Sequence, residues 1–289
     1  MRTRRSRRKK SLGQNFIADQ RIAARIVRAA EVGPEDTVLE IGPGSGTLTG
    51  RLAEKAGRLI GIEIDERFCE LLRGKFAAEE NVEIRCEDIR GTWLPALTPE
   101  NGGLTVVGAI PYHLTSPIIL KLVKTEADIR VAVLVVQREV GERMVAPPGS
   151  KRYGLMSIFV AARFGAEVVG VLPPEVFKPS PKVESAIVRL RPFDEVPFGL
   201  EEQDEVFRMA KVCFSQRRKM LLNSVGAFLG GKRGKRLDAA DRAALGRYLE
   251  SMGINPKDRP EDLSVAQFHR MVLMLRQMTE LELEGGDKS

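Results

Sequence analysis

A chain of 289 residues, 43% of them apolar, is large enough for one sizeable domain and a smaller partner, which excludes wholesale disorder. No apolar run is long enough to cross a bilayer, and the Arg-rich start lacks the apolar stretch of a secretory signal. The cysteines Cys69, Cys86 and Cys213 are scattered and the only histidines are His113 and His269. That pattern argues against a disulfide framework and a zinc or other metal site, and points to the reducing cytoplasm.

The net charge of +7 is local. The first ten residues hold Arg2, Arg4, Arg5, Arg7, Arg8, Lys9 and Lys10 and no acid, which equals the whole excess. A second block, 206–237, carries nine basic residues and no Asp or Glu. Basic arms and patches of this kind attract phosphate backbones, although a solvated tail and helix face would look the same.

After the arm, Asp19 is placed to cap a helix whose apolar positions Ile22, Ile26, Val27 and Ala30 recur at helical spacing. From Thr37 the pattern changes to β-rich runs at 37–41, 58–64, 82–86, 104–110 and 130–136, with helices between them. One of these helices, 66–77, puts Phe68, Leu71, Leu72 and Phe76 on one face. Strands separated by helices imply parallel βαβ units. Runs at 166–171 and 185–190 are joined by a Pro-rich loop too short for a helix, so an antiparallel pair at the sheet edge is expected. Residues 191–200, with Pro192 and Pro197, read as a linker. A helix with Phe207, Ala210 and Phe214, a basic turn, a Gly-rich stretch at 230–234 and two or three further helices follow. The acidic end from Leu281 is expected to fray. The fold class predicted is α/β, a Rossmann-like, mostly parallel sheet with an antiparallel edge and a small α-helical domain. The expected limits are 1–10 for the arm, 11–191 for the sheet domain and 192–289 for the linker and helices.

The first strand runs into Glu40-Ile41-Gly42-Pro43-Gly44-Ser45-Gly46. Glycines let the backbone turn and approach a ligand closely. The spacing GxGxG differs from the GxGxxG that seats a pyrophosphate, and suits a ligand without phosphates whose sulfonium and amino-acid end lie on the loop. The second strand delivers Glu63, placed to accept from ribose hydroxyls, followed by Ile64. The third delivers Asp88, able to accept from an adenine amino group, followed by Ile89. All three tips lie at carboxyl ends of parallel strands, where open α/β sheets bind ligands. Together they favour an adenosyl ligand, S-adenosyl-L-methionine, with S-adenosylhomocysteine as product.

Five motifs occur in order: Ser11–Phe16, Glu40–Gly46, Ile110-Pro111-Tyr112, Phe177–Val183 and Cys213–Lys219. With them the chain resembles the KsgA-type rRNA adenine N6,N6-dimethyltransferases and, more distantly, the erythromycin-resistance rRNA methylases. The resemblance covers nearly the whole chain. It implies dimethylation of adenine N6 in 16S rRNA of the small ribosomal subunit during ribosome biogenesis, by direct transfer with no metal, and nothing in it argues against a monomer. It also implies that Asn15 and Ile17 join Gly42, Gly44, Gly46, Glu63, Ile64, Asp88, Ile89 and position 109 around the cofactor. Pro111, Tyr112, Phe177 and the Ile110 carbonyl would hold the extruded adenine, since a base taken from its stack needs replacement stacking. Arg4, Arg5, Arg7, Arg8, Arg217, Arg218 and Lys219 would contact RNA.

One position departs from the family pattern. Where the family has Asn, as an acceptor for the N6 amino hydrogens, this chain has Ala109. By analogy with single oxyanion-hole donors, the loss is expected to cost roughly 3 kcal/mol, about a hundredfold in rate. An engineered substitution is favoured over a natural loss of turnover, because every surrounding residue fits the motif. Two other readings remain: a small-molecule N-methyltransferase, which leaves the basic regions without a task, and a non-catalytic rRNA-binding assembly factor, which Ala109 favours.

Overall fold

In the computed structural model, residues 15–234 and 237–285 are described. The RNA contacts expected at Arg4, Arg5, Arg7 and Arg8, and the motif residues 11–14, lie outside them. Strands are β1 (Phe16–Ile17), β2 (Thr37–Ile41), β3 (Arg58–Glu63), β4 (Val82–Cys86), β5 (Leu104–Ala109), β6 (Ile129–Gln137), β7 (Phe164–Leu172), β8 (Phe177–Lys178) and β9 (Ser185–Pro192). Helices are α1 (Gln20–Ala29), α2 (Thr47–Ala53), α3 (Glu66–Lys75), α4 (Thr115–Lys124), α5 (Arg138–Met144), α6 (Leu155–Ala161), α7 (Leu200–Ser215), α8 (Leu221–Arg233), α9 (Ala239–Ser251) and α10 (Val265–Gly285).

Seven strands form one sheet in the order β4-β3-β2-β5-β6-β9-β7. β2, β3, β4, β5 and β6 pair in parallel, and β9 runs antiparallel to β6. Chain order reverses between β2 and β5, the switch point at which open α/β sheets bind ligands. The central strands are buried along their length, as parallel strands covered on both faces must be. Val38, Val107, Val131 and Val133 pack against Ala23, Ile26 and Val27 of α1. Asp19 does cap α1, accepting from Arg21 N at 2.8 Å. On α3 the buried residues are Cys69 and Leu72, whereas Leu71 faces solvent at 49% exposure. The apolar stripe therefore runs through Cys69, not through Leu71. A second, two-stranded ladder that no sequence period announces joins β1 to β8 antiparallel, with Phe16 opposite Lys178 and Ile17 opposite Phe177.

The described residues divide into two compact units, within 1–141 with 167–191 and within 142–166 with 192–289. Residues 142–166 thus depart from the expected 11–191 domain. The reason is packing: Phe159 of α6 meets Phe207 of α7 edge to face at 4.7 Å, and the Tyr153 hydroxyl donates to Leu263 O at 2.7 Å. In the second unit, Gly230 and Gly231 lie inside α8 instead of breaking the chain, and Gly234 closes the helix with a positive φ of 65°. α10 continues to Gly285, beyond the point where composition predicts fraying.

Candidate active site

The loop after β2 is shaped by its glycines. Gly42, Gly44 and Gly46 have φ of 70°, 53° and 78°, a region closed to most side chains. At Gly44 a Cβ would also collide with the Phe16 ring, so the loop and the N-terminal strand approach only because Gly44 has none. Glu63, at the end of β3 and 1% exposed, ties this loop to its neighbour. One carboxylate oxygen accepts from Gly44 N at 3.1 Å, the other from Ile64 N and Asp65 N at 2.9 and 3.0 Å. The side chain is thereby fixed at the strand tip where a ribose would be read.

Asp88 is engaged locally. Its carboxylate accepts from Arg90 N at 2.9 Å and from the Arg90 guanidinium at 2.6 Å, and that side-chain bond is the main cause holding its pKa below the usual carboxylate range. An adenine amino group would therefore share Asp88 with Arg90. Ile64 is exposed and Ile89 buried on either side of this edge. α3 is also joined covalently to the end of β4: Cys69 and Cys86 form a disulfide, with Cα atoms 5.7 Å apart. The scattered cysteines argue against a disulfide framework, yet the structure holds this bridge. Neither composition nor a CxxC pair could announce it, because the partners meet only through the packing of α3 on β4.

A single pocket brings together Asn15, Ile17, Gly42, Ala109, Ile110, Pro111, Tyr112 and Phe177. The predicted Gly44, Gly46, Glu63, Ile64, Asp88 and Ile89 do not line it; they stand on the loop and strand ends described above. Ile110 N donates to Val135 O at 3.1 Å, which fixes the last peptide before the chain turns at Pro111. Tyr112 opens a short helical turn, and its hydroxyl lies 3.0 Å from the Ser185 hydroxyl. Phe177 is 4% exposed and shares the core with Ile17 and Val107. Ala109 is half-buried at the end of β5.

Sequence reasoning gave no role to Phe16, Ser45 or Ser185, and Glu40 entered only as the acid ahead of the glycines. Yet all four line this pocket. Glu40 is 1% exposed, and its Oε2 has no hydrogen-bond partner. Burial pushes its carboxyl up to about 8; the Thr49 hydroxyl, near it but also without a hydrogen-bond partner, opposes the shift, and the negative charge of Glu63 adds to it. A buried acceptor facing the pocket beside a glycine cradle suits a ligand with a polar, cationic end. Among the described residues no cluster of His, Cys, Asp and Glu is arranged to hold a metal.

The basic turn lies between α7 and α8. Arg218 and Lys219 are exposed. Arg217 instead pairs with Glu261 and donates to Lys151 O at 3.0 Å. The structure thus commits one of the three predicted RNA contacts to the helical unit itself.

A glycine loop at the switch point, acidic tips on the next two strands and a reversed β9 define the fold and site of a class I, Rossmann-like methyltransferase. The ribosomal RNA adenine dimethylase family matches residues 5–277, and the chain belongs to that family. It is 38% identical over 264 residues to ribosomal RNA small subunit methyltransferase A of Geobacillus thermodenitrificans, covering 90% of this chain and 88% of that protein. The corresponding protein of Caldanaerobacter subterraneus is 38% identical over 263 residues, with 90% and 94% covered. Among solved structures, a dimethyladenosine transferase from Plasmodium falciparum superposes with a TM-score of 0.76 at 26% identity, covering 91% of this chain and 98% of that one. The 23S rRNA methyltransferase ErmE superposes at 0.67 with 28% identity, covering 91% and 100%.

Proposed function

We propose that this chain carries methyl groups from S-adenosyl-L-methionine to the N6 nitrogen of adenine in small-subunit rRNA, and that Ala109 holds its turnover down. The observation that carries the reading is the meeting of the 109–112 turn with the Gly42 loop in one pocket. The names borne by the relatives, a small-subunit rRNA methyltransferase and a dimethyladenosine transferase, support the substrate class.

The residues present fit the cofactor. The positive-φ glycines form a cradle that a Cβ would fill, Glu63 is held ready at the ribose position, and Glu40 offers a buried acceptor. The cofactor, when bound, supplies an electrophilic methyl on a sulfonium. The chain's residues supply position. The Ile110 carbonyl accepts one amino hydrogen of the base, so the lone pair is drawn out of the ring and toward the methyl. Tyr112 and Phe177 offer aromatic faces that replace lost stacking. The second amino hydrogen lacks the side-chain acceptor that Asn would provide. Arg218 and Lys219 contact phosphates.

Ala109 favours one other reading, an rRNA-binding factor without turnover. The experiment compares the chain with Ala109→Asn on under-methylated small subunits. Both are expected to bind S-adenosylmethionine with similar affinity, and the Asn variant to methylate about a hundredfold faster. Equal high activity refutes the role given to position 109; inactivity of both favours the binding factor.

A further inference from the structure

The Cys69–Cys86 bridge stands where the cofactor reading needs rigidity. β3 and β4 pair in parallel with Glu63 opposite Cys86, so the bridge falls at the level of the ribose-reading carboxylate. Glu63 O accepts from Glu87 N at 2.9 Å and lies 3.5 Å from Cys69 Sγ. Asp88 follows Cys86 by two residues. Among the described residues β4 is the outermost strand of the sheet on this side and pairs only with β3. The covalent link from α3 therefore adds a third support to the segment that carries Asp88.

The two sulfurs differ in access. Cys69 is 1% exposed on the buried face of α3, whereas Cys86 is exposed at the strand end. Cys213, the remaining cysteine, is buried in the other unit, and burial pushes its thiol up to about 12. Thiol–disulfide exchange needs an accessible thiolate, so the entry point is Cys86.

We propose that Cys69 and Cys86 are a reversible modification site for low-molecular-weight disulfides, and that closing the bridge tightens cofactor binding by tying the end of β4 to α3, the helix that follows the Glu63 tip. The second half rests on the cofactor reading above; the first does not. The Cys86 thiolate attacks one sulfur of the small disulfide, forming a mixed disulfide and releasing one small thiolate. The Cys69 thiol then loses its proton and attacks the Cys86 sulfur, releasing the second. Two protein thiols are oxidised, one small disulfide is reduced to two thiols, and two protons leave or are taken up by those products.

The full chain, reduced and then equilibrated with oxidised glutathione, is expected to fall from three titratable thiols under denaturing conditions to one, with a peptide linking Cys69 to Cys86. Cys69→Ser is expected to stop at a glutathione adduct on Cys86, while Cys86→Ser takes none at Cys69. Closing a loop of sequence separation 17 should raise the melting temperature on the order of 5 °C. S-Adenosylmethionine should bind about threefold tighter to the bridged form, as expected for a preorganised site. Three thiols still titratable, or an adduct forming first at Cys69, overturns the site. A bridge that forms without changing cofactor affinity overturns the coupling alone. A bridge that forms in a chain that binds no S-adenosylmethionine in either state refutes the cofactor reading and leaves the thiol site standing.

Discussion

Glu40→Gln tests a carboxyl that the fold buries with one oxygen left without a hydrogen bond. Glu40 Oε2 makes no hydrogen bond, and burial pushes the group from 4.5 to about 8. Between those values the folded chain holds a proton that the unfolded chain has released. Stability is therefore complete at low pH and falls as pH rises, by about 1.4 kcal/mol per pH unit, until the carboxyl ionises in both states near pH 8. The full span is about 5 kcal/mol, a large part of an ordinary folding free energy. Glutamine keeps the shape, stays neutral in both states and removes the slope. Urea unfolding of the two proteins at pH 5.5, 6.5, 7.5 and 8.5 should show the variant gaining on the parent by about 3 kcal/mol between pH 5.5 and 7.5. The other titrating groups are common to both chains and cancel in the difference. A difference that is flat with pH would overturn this linkage, since a hydrated Glu40 that ionises over the same pH range in both states has no effect on the slope of stability with pH.

Two further outcomes test the pocket and the RNA face. Ser185→Ala removes the hydroxyl 3.0 Å from Tyr112 Oη; measured in the Ala109→Asn background, kcat/KM for RNA should fall roughly fivefold, one net hydrogen bond, with cofactor affinity unchanged. A parallel loss of cofactor binding would instead mean that the pocket had collapsed. Arg217→Ala should lower the stability of the helical unit by on the order of 1 kcal/mol, having lost Glu261 and Lys151 O. Arg218→Ala and Lys219→Ala should leave stability alone and flatten the salt dependence of RNA binding by roughly one unit of slope per charge. The reverse pattern would return Arg217 to the RNA surface.

β2 was legible because a strand covered on both faces reads as a nearly continuous apolar run, and the edge strand β4, Val82-Glu83-Ile84-Arg85-Cys86, because it alternates; the 37–41 and 82–86 limits coincide with the two strands. What escaped depends on partners distant in sequence. β1 and β8 are two residues each, too short for any period, and exist only because they pair across 160 positions. Residues 142–166 leave the sheet unit through the packing of Phe159 on Phe207 and the Tyr153 hydrogen bond, and local composition carries neither. Arg217 reads as one more charge in a basic run until Glu261, 44 residues on, claims it. Within the site, Gly44 was legible as a glycine position, but its reason, the Phe16 ring, was not.

The adjacent positions 108 and 109 separate what the fold demands from what the chemistry demands. At Gly108 a Cβ would sit 3.0 Å from Ile41 O and 3.1 Å from Ile41 Cβ, so the close approach of β5 to β2 at the switch point leaves a side chain little room there. Ala109 meets no such demand. It is half-buried, pairs by backbone with Val135, and is followed by the Ile110 N to Val135 O bond, which is independent of the side chain at 109. The 109–112 turn therefore keeps its course whichever small residue stands there. A side chain at 109 is free to be chosen for what it offers the base, and its replacement by alanine removes an acceptor without removing the turn that presents Ile110 and Tyr112. That is why binding and turnover are expected to come apart at this residue: Pro111 and Tyr112 give the turn and one wall of the pocket, while the side chain at 109, which also lines it, decides whether the base meets a second acceptor.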